Sequence, residues 1–435
     1  MDVEAKRLDS ANASVCAKPS MQDFEEKSQK IAQKIAKSAK LDGFRKGKVP
    51  LDIIKQRYQS HIEQESQKEL LDEILKEGRA QLKLELQDLI GNPAVVKFDK
   101  QPEHFDIEID IGLRPQIDLS AIKDCVPTFS LKEIQESEVE ERLQTLAKER
   151  ASFSDAPADK KVEKGDGVVL DFEGMLDGKP FEGNKAQNFA LIVGENRLIP
   201  GFEKQLVGMK VGEEKYFPVL FPKDYANANL AGKEVSFYTK LHKIQIRHIP
   251  KIDDDFIKSV LNQEKEPTLE LLKQKIQEQL FTEAKTRLYN QELKEKLIDN
   301  LDKSLSFDLP KTIVEQEIDL ALRQALQSMD QAQIKELQDN PSKVQEKREG
   351  FRESAQRSVK VTFIIDALAK QESIQVQDNE VFQTLYYEAL MTNQNPQQLI
   401  GHYQKNNMLP AVKMAMVEDR VLTFLLDQQL PKAQA

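Results

Sequence analysis

The sequence has few cysteines, few histidines and no long hydrophobic run. Its two cysteines, Cys16 and Cys125, stand far apart without a pairing pattern, which argues against a disulfide framework and against a zinc site. Five scattered histidines do not change this conclusion. No apolar run approaches the roughly 18 residues that a membrane span needs, and the mean hydropathy is -0.56. We therefore expect no contact with a membrane.

Other absences narrow the class of protein further. The first residues, MDVEAKRLDSANASV, carry charges from the second position and contain no apolar stretch, so we expect no signal or transit peptide and predict a cytoplasmic location. No Walker motif, GxSxG elbow or paired-cysteine motif is found, so the sequence implies no nucleotide, metal or other cofactor. The net charge is -10, and any affinity for nucleic acid must therefore come from a local patch.

Glycines and aromatic residues are concentrated in the middle of the chain. Residues 165–238 hold ten of the 17 glycines, together with ten of the 20 phenylalanines and 8 tyrosines, which predicts a compact β-rich domain with tight turns. Residues 251–435 contain only Gly350 and Gly401. Apolar residues recur there at helical spacing, and this predicts an all-helical region.

The N-terminal part mixes both types of pattern. The stretch HFDIEIDIG alternates apolar and polar residues, as a half-buried strand does. Ser137 and Glu140 have the spacing of a capping box, which predicts a helix from there to about Arg150. Asn340-Pro341 and Asn395-Pro396 predict helix starts in the C-terminal region.

These patterns predict a multidomain α+β protein. We expect an N-terminal α+β domain at residues 1–115, a linker at 116–150, a β-rich domain at 151–247 and an all-α domain at 248–435.

The stretch LDGFRKGKVP, residues 41–50, forms the basic tip of a predicted helical hairpin. Upstream of it, lysines at spacings of three and four line one helix face, and eight cationic residues but one acid lie between Lys27 and Lys48. Such a tip suits contact with phosphates, with Phe44 as an apolar anchor. A solvated lysine face with a glycine-rich turn explains the same residues equally well. A P-loop does not fit, because the glycines are one residue too close and Val49 replaces the required Ser or Thr.

The segment GFRKGKVP resembles the ribosome-docking signature of the bacterial trigger factor family, and the order of the predicted domains is similar to that family along the whole chain. The resemblance implies contact with a large-subunit ribosomal protein and RNA near the polypeptide exit tunnel. The residues that match the signature are Gly43, Phe44, Arg45, Lys46, Gly47 and Lys48.

The segments VVLDFEGMLDGKPFEG, RLIPGFEKQLVGMKVGE and FPKDYANANLAGKEVSFYTKLHKI resemble an FKBP-type peptidyl-prolyl isomerase over about residues 161–247. Asp177-Gly178 predicts a hairpin turn and Pro200 the start of a short helix. The resemblance implies a proline pocket lined by Phe172, Phe181, Phe189, Leu198, Ile199, Phe202, Tyr225 and Phe237. Some of these aromatic residues are expected to serve only as core. The chain departs from stand-alone members at Glu182, at Phe202 in place of tryptophan, and in a short loop at residues 227–230.

The leading hypothesis is a ribosome-associated, ATP-independent chaperone for nascent or unfolded polypeptides, with peptidyl-prolyl cis-trans isomerase activity. A weak homodimer is also compatible with the resemblance. One alternative is a free-standing prolyl isomerase whose helical region only oligomerises, and another is an RNA-binding assembly factor. Five of the nine methionines follow residue 320 and suit either a binding surface or the core.

Overall fold

The computed structural model describes residues 1–40, 44 and 49–430. The chain forms two compact units: unit 1 combines Met1–Ser130 with Arg287–Ala435, and unit 2 consists of Leu131–Thr286. Unit 1 is thus assembled from two segments that are distant in sequence. The four-part division at residues 115, 150 and 247 is finer than this grouping and stays a prediction.

The strands that the structure describes are antiparallel to their neighbours. In chain order they are β1 (Asp2–Arg7), β2 (Asn12–Lys18), β3 (Ala94–Lys100), β4 (Phe105–Gly112), β5 (Ser152–Asp155), β6 (Gly167–Leu176), β7 (Lys179–Ile192), β8 (Glu214–Leu220) and β9 (Glu234–His248). The sheet of unit 1 has the order β1-β2-β4-β3. The sheet of unit 2 has the order β5-β9-β6-β7, and β8 also pairs with β9.

The helices that the structure describes are, in chain order, α1 (Met21–Ser38), α2 (Leu51–Arg57), α3 (Gln59–Leu82), α4 (Ile122–Cys125), α5 (Glu136–Glu149), α6 (Phe202–Leu206), α7 (Asp254–Val260), α8 (Leu269–Leu288), α9 (Lys294–Ser304), α10 (Lys311–Gln327), α11 (Gln331–Asp339), α12 (Pro341–Gly350), α13 (Arg352–Gln371), α14 (Asp378–Met391), α15 (Pro396–Lys405) and α16 (Leu409–Asp427). A π-helical turn, Tyr289–Leu293, precedes α9. The predicted α+β fold with a helical C-terminal region is confirmed. Among the described residues, no helix is long and apolar enough to cross a membrane.

The N-terminal sheet packs on α3. Strand β4 alternates in burial as its sequence predicts, because Phe105, Ile107, Ile109 and Ile111 face the helix. Gly78 of α3 lies against Val15 of β2, where an added Cβ would stand 2.6 Å from Val15 Cγ2. A glycine therefore lets helix and sheet approach closely, since close-packed interiors have no room for a further methyl group.

The helical part of unit 1 joins this sheet through a buried amide. The Asn12 side chain, which is 4% exposed, donates to Leu309 O at 3.0 Å and accepts from Lys311 N at 2.8 Å. Asp9 also accepts from the Asn12 amide, at 2.8 Å. Asn12 thus satisfies the first turn of α10, whose Val314 and Ile318 pack on α13. The start of β2 and the start of α10 are fixed to one another by these bonds.

The predicted linker packs in two places. In unit 1, Ile122, Cys125 and Val126 belong to the core of α9, α13 and α16. In unit 2, α5 packs its Val139, Leu143 and Ala147 against α7 and α8. Both parts of the predicted linker therefore contribute residues to hydrophobic cores.

The predicted capping box of α5 is wrong by two residues. The helix begins at Glu136, so Ser137 lies in its first turn, and Glu138 accepts from the backbone N–H of Gln135 at 2.8 Å. Residues 135 and 138 have the same spacing as residues 137 and 140, and the spacing alone does not select between them.

The predicted hairpin turn at Asp177-Gly178 and the predicted helix starts at Pro341 and Pro396 are confirmed, although the Asn340 side chain makes no capping hydrogen bond to the described residues. Asp177 and Gly178 both have positive φ, 48° and 75°, and join β6 to β7 as a two-residue hairpin loop. Helices α12 and α15 begin with Pro341 and Pro396 after their asparagine caps, and Asn395 accepts from Gln397 N and Gln398 N. Between residues 249 and 430, the described residues contain no strand.

Replacing Asn12 by Ala should destabilise unit 1, because it leaves the half-buried Leu309 carbonyl and the Lys311 N–H without their Asn12 partner. We expect a loss of about 3 kcal/mol in the free energy of unfolding, and rapid hydrogen exchange at Lys311. Chemical denaturation and amide exchange measure these effects. Ser10→Ala, which removes an exposed hydrogen bond to Asp308 on the same turn, is the matched control and should cost less than about 0.5 kcal/mol. Equal effects would contradict the role given to Asn12.

Candidate active site and interaction surfaces

The residues predicted for the proline pocket come from separate elements of unit 2. Phe172 lies on β6, Phe181 and Phe189 on β7, and Phe237 on β9. Leu198 and Ile199 follow β7, Phe202 begins α6, and Tyr225 lies between β8 and β9. All of these except Tyr225 belong to, or pack against, one apolar cluster. The structure therefore brings the predicted lining residues other than Tyr225 together from five parts of the chain.

Phe202 lies at the centre of this aromatic cluster. It is 1% exposed, and its ring centroid stands 5.6 Å from Phe172, 5.2 Å from Phe217 and 5.1 Å from Phe237. Each of these contacts is T-shaped, with ring planes 69° to 88° apart, the arrangement that the charge distribution of aromatic rings favours. Phe202 is therefore a ring buried among other aromatic rings, and it stays the predicted floor of the pocket.

Gly174 leaves space for two of the predicted rings. An added Cβ at this position would stand 2.7 Å from Phe237 Cε1 and 3.2 Å from Phe181 Cζ. Because the sheet pairs Gly174 with Phe237, the missing side chain lets the Phe237 ring lie across β6. Gly174 lies in one of the segments that resemble an FKBP-type isomerase. The sequence does not indicate that two aromatic rings meet at this glycine.

A hydrogen-bonded carboxylate beside the cluster holds the backbone next to Phe189. Asp171 Oδ1 accepts from Asn188 N at 2.7 Å, and Asp171 Oδ2 lies 2.8 Å from His242 Nε2. The hydrogen bond from Asn188, and then the one from His242, lower the pKa of the Asp171 carboxyl from its ordinary value. Asn188 has a left-handed φ of 50°, so the carboxylate holds the irregular stretch of β7 that presents Phe189 to Phe172.

Tyr225 reaches the cluster through a residue that the sequence analysis did not assign to the pocket. Its ring is T-shaped against Phe221 at 4.9 Å, and Phe221 stacks on Phe237 at 6.5 Å. Tyr225 is 40% exposed, whereas Phe221 is buried. The Tyr225 side chain therefore lies at the exposed edge of the aromatic cluster, where its hydroxyl is accessible to a peptide.

The short helix after Ile199 begins later than predicted. Helix α6 starts at Phe202, and Gly201 precedes it with φ of 98°, a conformation that favours glycine. Pro200 therefore lies in the turn before the helix. Another residue that the sequence did not indicate is Glu203, which follows Phe202 in α6 and is buried. The side chain of Glu182 is outside the part that the structure describes.

The predicted docking hairpin is built from α1, α2 and α3. Its core contains Ile31, Ile54 and Ile62, and Phe44 is 39% exposed. The other signature residues, Gly43, Arg45, Lys46, Gly47 and Lys48, lie outside the described residues.

The basic face of α1 is partly neutralised. Lys34 Nζ lies 2.8 Å from Glu69 Oε1 of α3, and Lys27 pairs with Glu73 of the same helix. These pairs leave Lys30 and Lys37 without an ion pair among the described residues. The predicted lysine stripe is therefore in part an interhelical contact.

Helix α14 carries an exposed apolar stripe, defined by Tyr386, Tyr387, Leu390 and Met391. These residues are 48%, 65%, 51% and 85% exposed. Their spacing of one, three and one residues places them on neighbouring positions of one side of the helix, while Val381, Leu385 and Ala389 on the other side are buried. The sequence alone did not distinguish these two faces.

The methionines after residue 320 divide between the two predicted roles. Met391 and Met408 are exposed, at 85% and 40%. Met414 and Met416 pack against apolar clusters of the helical region, and Met329 is half-buried.

Comparison with known proteins covers nearly the whole chain. A family model described as bacterial trigger factor protein matches residues 1–146, and one for its C-terminus matches residues 268–427. A model described as FKBP-type peptidyl-prolyl cis-trans isomerase matches residues 158–242.

Full-length relatives agree with these matches. The trigger factor of Helicobacter pylori (strain P12) is 55% identical over 434 residues, covering 100% of this chain and 96% of the relative. That of Helicobacter hepaticus (strain ATCC 51449 / 3B1) is 45% identical over 435 residues, covering 100% and 98%.

A solved structure described as "Promiscuous Substrate Recognition in Folding and Assembly Activities of the Trigger Factor Chaperone" has the same fold. It is 19% identical, with a TM-score of 0.58 over 99% of this chain and 100% of that one. The resemblance that the motifs indicated is confirmed. The chain belongs to the trigger factor family of chaperones, and its middle segment is a peptidyl-prolyl cis-trans isomerase domain of the FKBP type.

Proposed function

We propose that the protein holds unfolded segments of nascent polypeptides on the exposed apolar stripe of α14, and that it does so while bound to the ribosome in the cytoplasm. The observation that carries the proposal is the exposure of two tyrosines, a leucine and a methionine side by side on one helix. Exposed apolar groups of this kind are costly unless they serve binding. Tyrosine supplies a large and rigid contact area, and methionine adapts to varied partners.

The ribosome is the partner that best fits the hairpin of α1 and α2. Phe44, between the two helices in sequence, is exposed, and three of the five other signature residues are cationic. Cations neutralise RNA phosphates, and an aromatic side chain adds apolar contact with a protein. The functional division would follow the predicted segments 1–115, 116–150, 151–247 and 248–435.

The isomerase activity is assigned to the pocket around Phe202. Rotation of an X-Pro bond has a barrier of about 18–20 kcal/mol because the C–N bond has partial double-bond character. An apolar site that holds the proline ring while the amide twists stabilises the less conjugated transition state, and each 1.4 kcal/mol or so gives about tenfold in rate. We propose that Phe172, Phe181, Ile199, Phe202 and Phe237 hold the ring and that Tyr225 binds the peptide at the rim. No step of this rotation requires a nucleophile.

Replacing Tyr225 by Ala tests the pocket, because this side chain is 40% exposed and its loss leaves the core intact. We expect kcat/KM on a short X-Pro peptide to fall about tenfold. Tyr216→Ala is the matched control, since Tyr216 is 76% exposed on β8 of the same sheet and lies outside the aromatic cluster. Activity equal to wild type in Tyr225→Ala would mean that the rim has been misplaced.

Replacing Phe44, Arg45 and Lys46 together by Ala tests the docking tip. We expect the Kd for ribosomes to rise about 100-fold, because one apolar anchor and two phosphate contacts are lost, and we expect added salt to weaken wild-type binding. Co-sedimentation measures both. The triple change of Val96, Lys97 and Lys100 to Ala removes one exposed apolar and two cationic residues from β3 and should leave binding unchanged. Retained binding by the tip variant would refute ribosome docking through this hairpin.

Replacing Tyr387 and Leu390 by Ser tests the stripe on α14. The loss of two apolar contacts should raise the Kd for a denatured client about tenfold and reduce the suppression of its aggregation, followed by light scattering. Tyr216→Ser with Leu220→Ser removes the same two residue types from an equally exposed surface of unit 2 and should have little effect. Equal loss in both double variants would show that the stripe has no special role.

A further inference from the structure

Glu203 is a buried carboxylate that follows the floor residue Phe202. It is 5% exposed. Its Oε2 accepts from Gly194 N at 2.6 Å and Asn196 N at 3.1 Å, and its Oε1 accepts from Arg197 N at 2.7 Å and Leu198 N at 3.3 Å. One side chain therefore binds four backbone N–H groups of the loop after β7, which we call the pocket loop and define as residues 194–199.

This arrangement compensates the cost of burying a charge. An isolated ionised carboxylate is strongly disfavoured in an apolar interior, whereas hydrogen bonds to a charged acceptor are about twice as strong as neutral ones. The four donors lie within five consecutive residues, so the loop must curl around the carboxylate to reach it. The fold thus uses the charge to set the path of the backbone, which apolar contact alone does not fix because it is non-directional.

The hydrogen bonds of Glu203 affect the position of Leu198 and Ile199, which are part of the wall of the proposed pocket. Leu198 donates to Glu203 directly, Ile199 is the next residue, and the Ile199 carbonyl accepts from Phe202 N at 3.1 Å. Glu203 is therefore connected to the floor by the chain itself and to the wall by hydrogen bonds. Any shift of its carboxylate moves Leu198 and Ile199 relative to the Phe202 ring.

We propose that Glu203 is a positioning residue for the isomerase reaction, acting through Leu198 and Ile199 without touching the substrate. The proposal rests on the pocket assigned above. A carboxylate is needed because each of its oxygens serves two donors. A glutamine would keep one oxygen but turn its NH2 group toward the other pair of N–H groups, and an aspartate would be too short to reach both pairs.

The test is Glu203→Gln in the full-length protein. We expect kcat/KM on an X-Pro peptide to fall between about tenfold and a hundredfold, since small misplacements of a binding wall have effects of this size. The amide NMR signals of Gly194, Asn196, Arg197 and Leu198 should shift and exchange faster with solvent, while those of β6 and β9 stay protected. Glu203→Asp, which keeps the charge, should restore part of the activity, and it remains informative if the Gln variant does not fold.

Asp166→Asn is the matched control. Asp166 is also a buried carboxylate of unit 2, 6% exposed, but it accepts from Glu163 N at 2.9 Å in the turn before β6. This variant should lower the melting temperature without lowering kcat/KM at a temperature where it is folded. Equal loss of kcat/KM in both variants would overturn the proposal, as would full activity in Glu203→Gln with a loosened loop. The pocket assignment itself is judged separately by Tyr225→Ala, which leaves Glu203 and its four donors intact.

Discussion

The buried amide of Asn12 connects two segments of chain that lie almost 300 residues apart in sequence. It donates to Leu309 O and accepts from Lys311 N, and these backbone groups would otherwise be left without partners at the start of a helix. Apolar contacts between α10 and α13 fill space around the joint, but many relative placements would bury similar apolar area. The directional bonds of Asn12 select one of them. These bonds help to hold the two segments of unit 1 together despite the long insertion of unit 2.

Unit 2 uses the same physical device for a different purpose. Glu203 accepts from four N–H groups of the pocket loop, Asn12 bonds backbone groups at the start of α10, and Asp171 holds the irregular part of β7 by accepting from Asn188. In each case a side chain replaces the regular hydrogen bonding that a strand or helix would provide. The loops on which the site depends are therefore ordered by a few polar groups, while the aromatic rings supply the apolar surface.

Local features of the fold were predictable from the sequence, because they depend on neighbouring residues. The alternation in β4, the Asp177-Gly178 turn and the helix starts at Pro341 and Pro396 follow from periodicity and backbone preference alone. The start of α5 could not be predicted, because residues 135 and 138 have the same capping-box spacing as residues 137 and 140. The hydrogen-bond partners of Asn12 and Glu203 could not be predicted either. These partners are backbone groups, which every residue has, so the sequence does not indicate which of them will be bonded. The resemblance predicted which residues line the pocket, and the structure shows two further residues, Gly174 and Phe221, in contact with the predicted rings.

The aromatic cluster around Phe202 and the exposed stripe on α14 differ in burial, and this difference fits the two activities proposed for them. An isomerase must hold one ring in one orientation, and Phe202, the floor of the pocket proposed above, is 1% exposed and contacts its neighbouring rings in T-shaped geometry. A holding surface must accept many sequences, so rigidity of this kind would restrict it. The stripe on α14 instead lies on the outer side of a helix, where Met391 is 85% exposed and can change rotamer at little cost. Since the pocket and the stripe share no residue and belong to different compact units, changes to one need not alter the chemistry of the other. In the function proposed above, the holding of clients and the rotation of X-Pro bonds can therefore change independently.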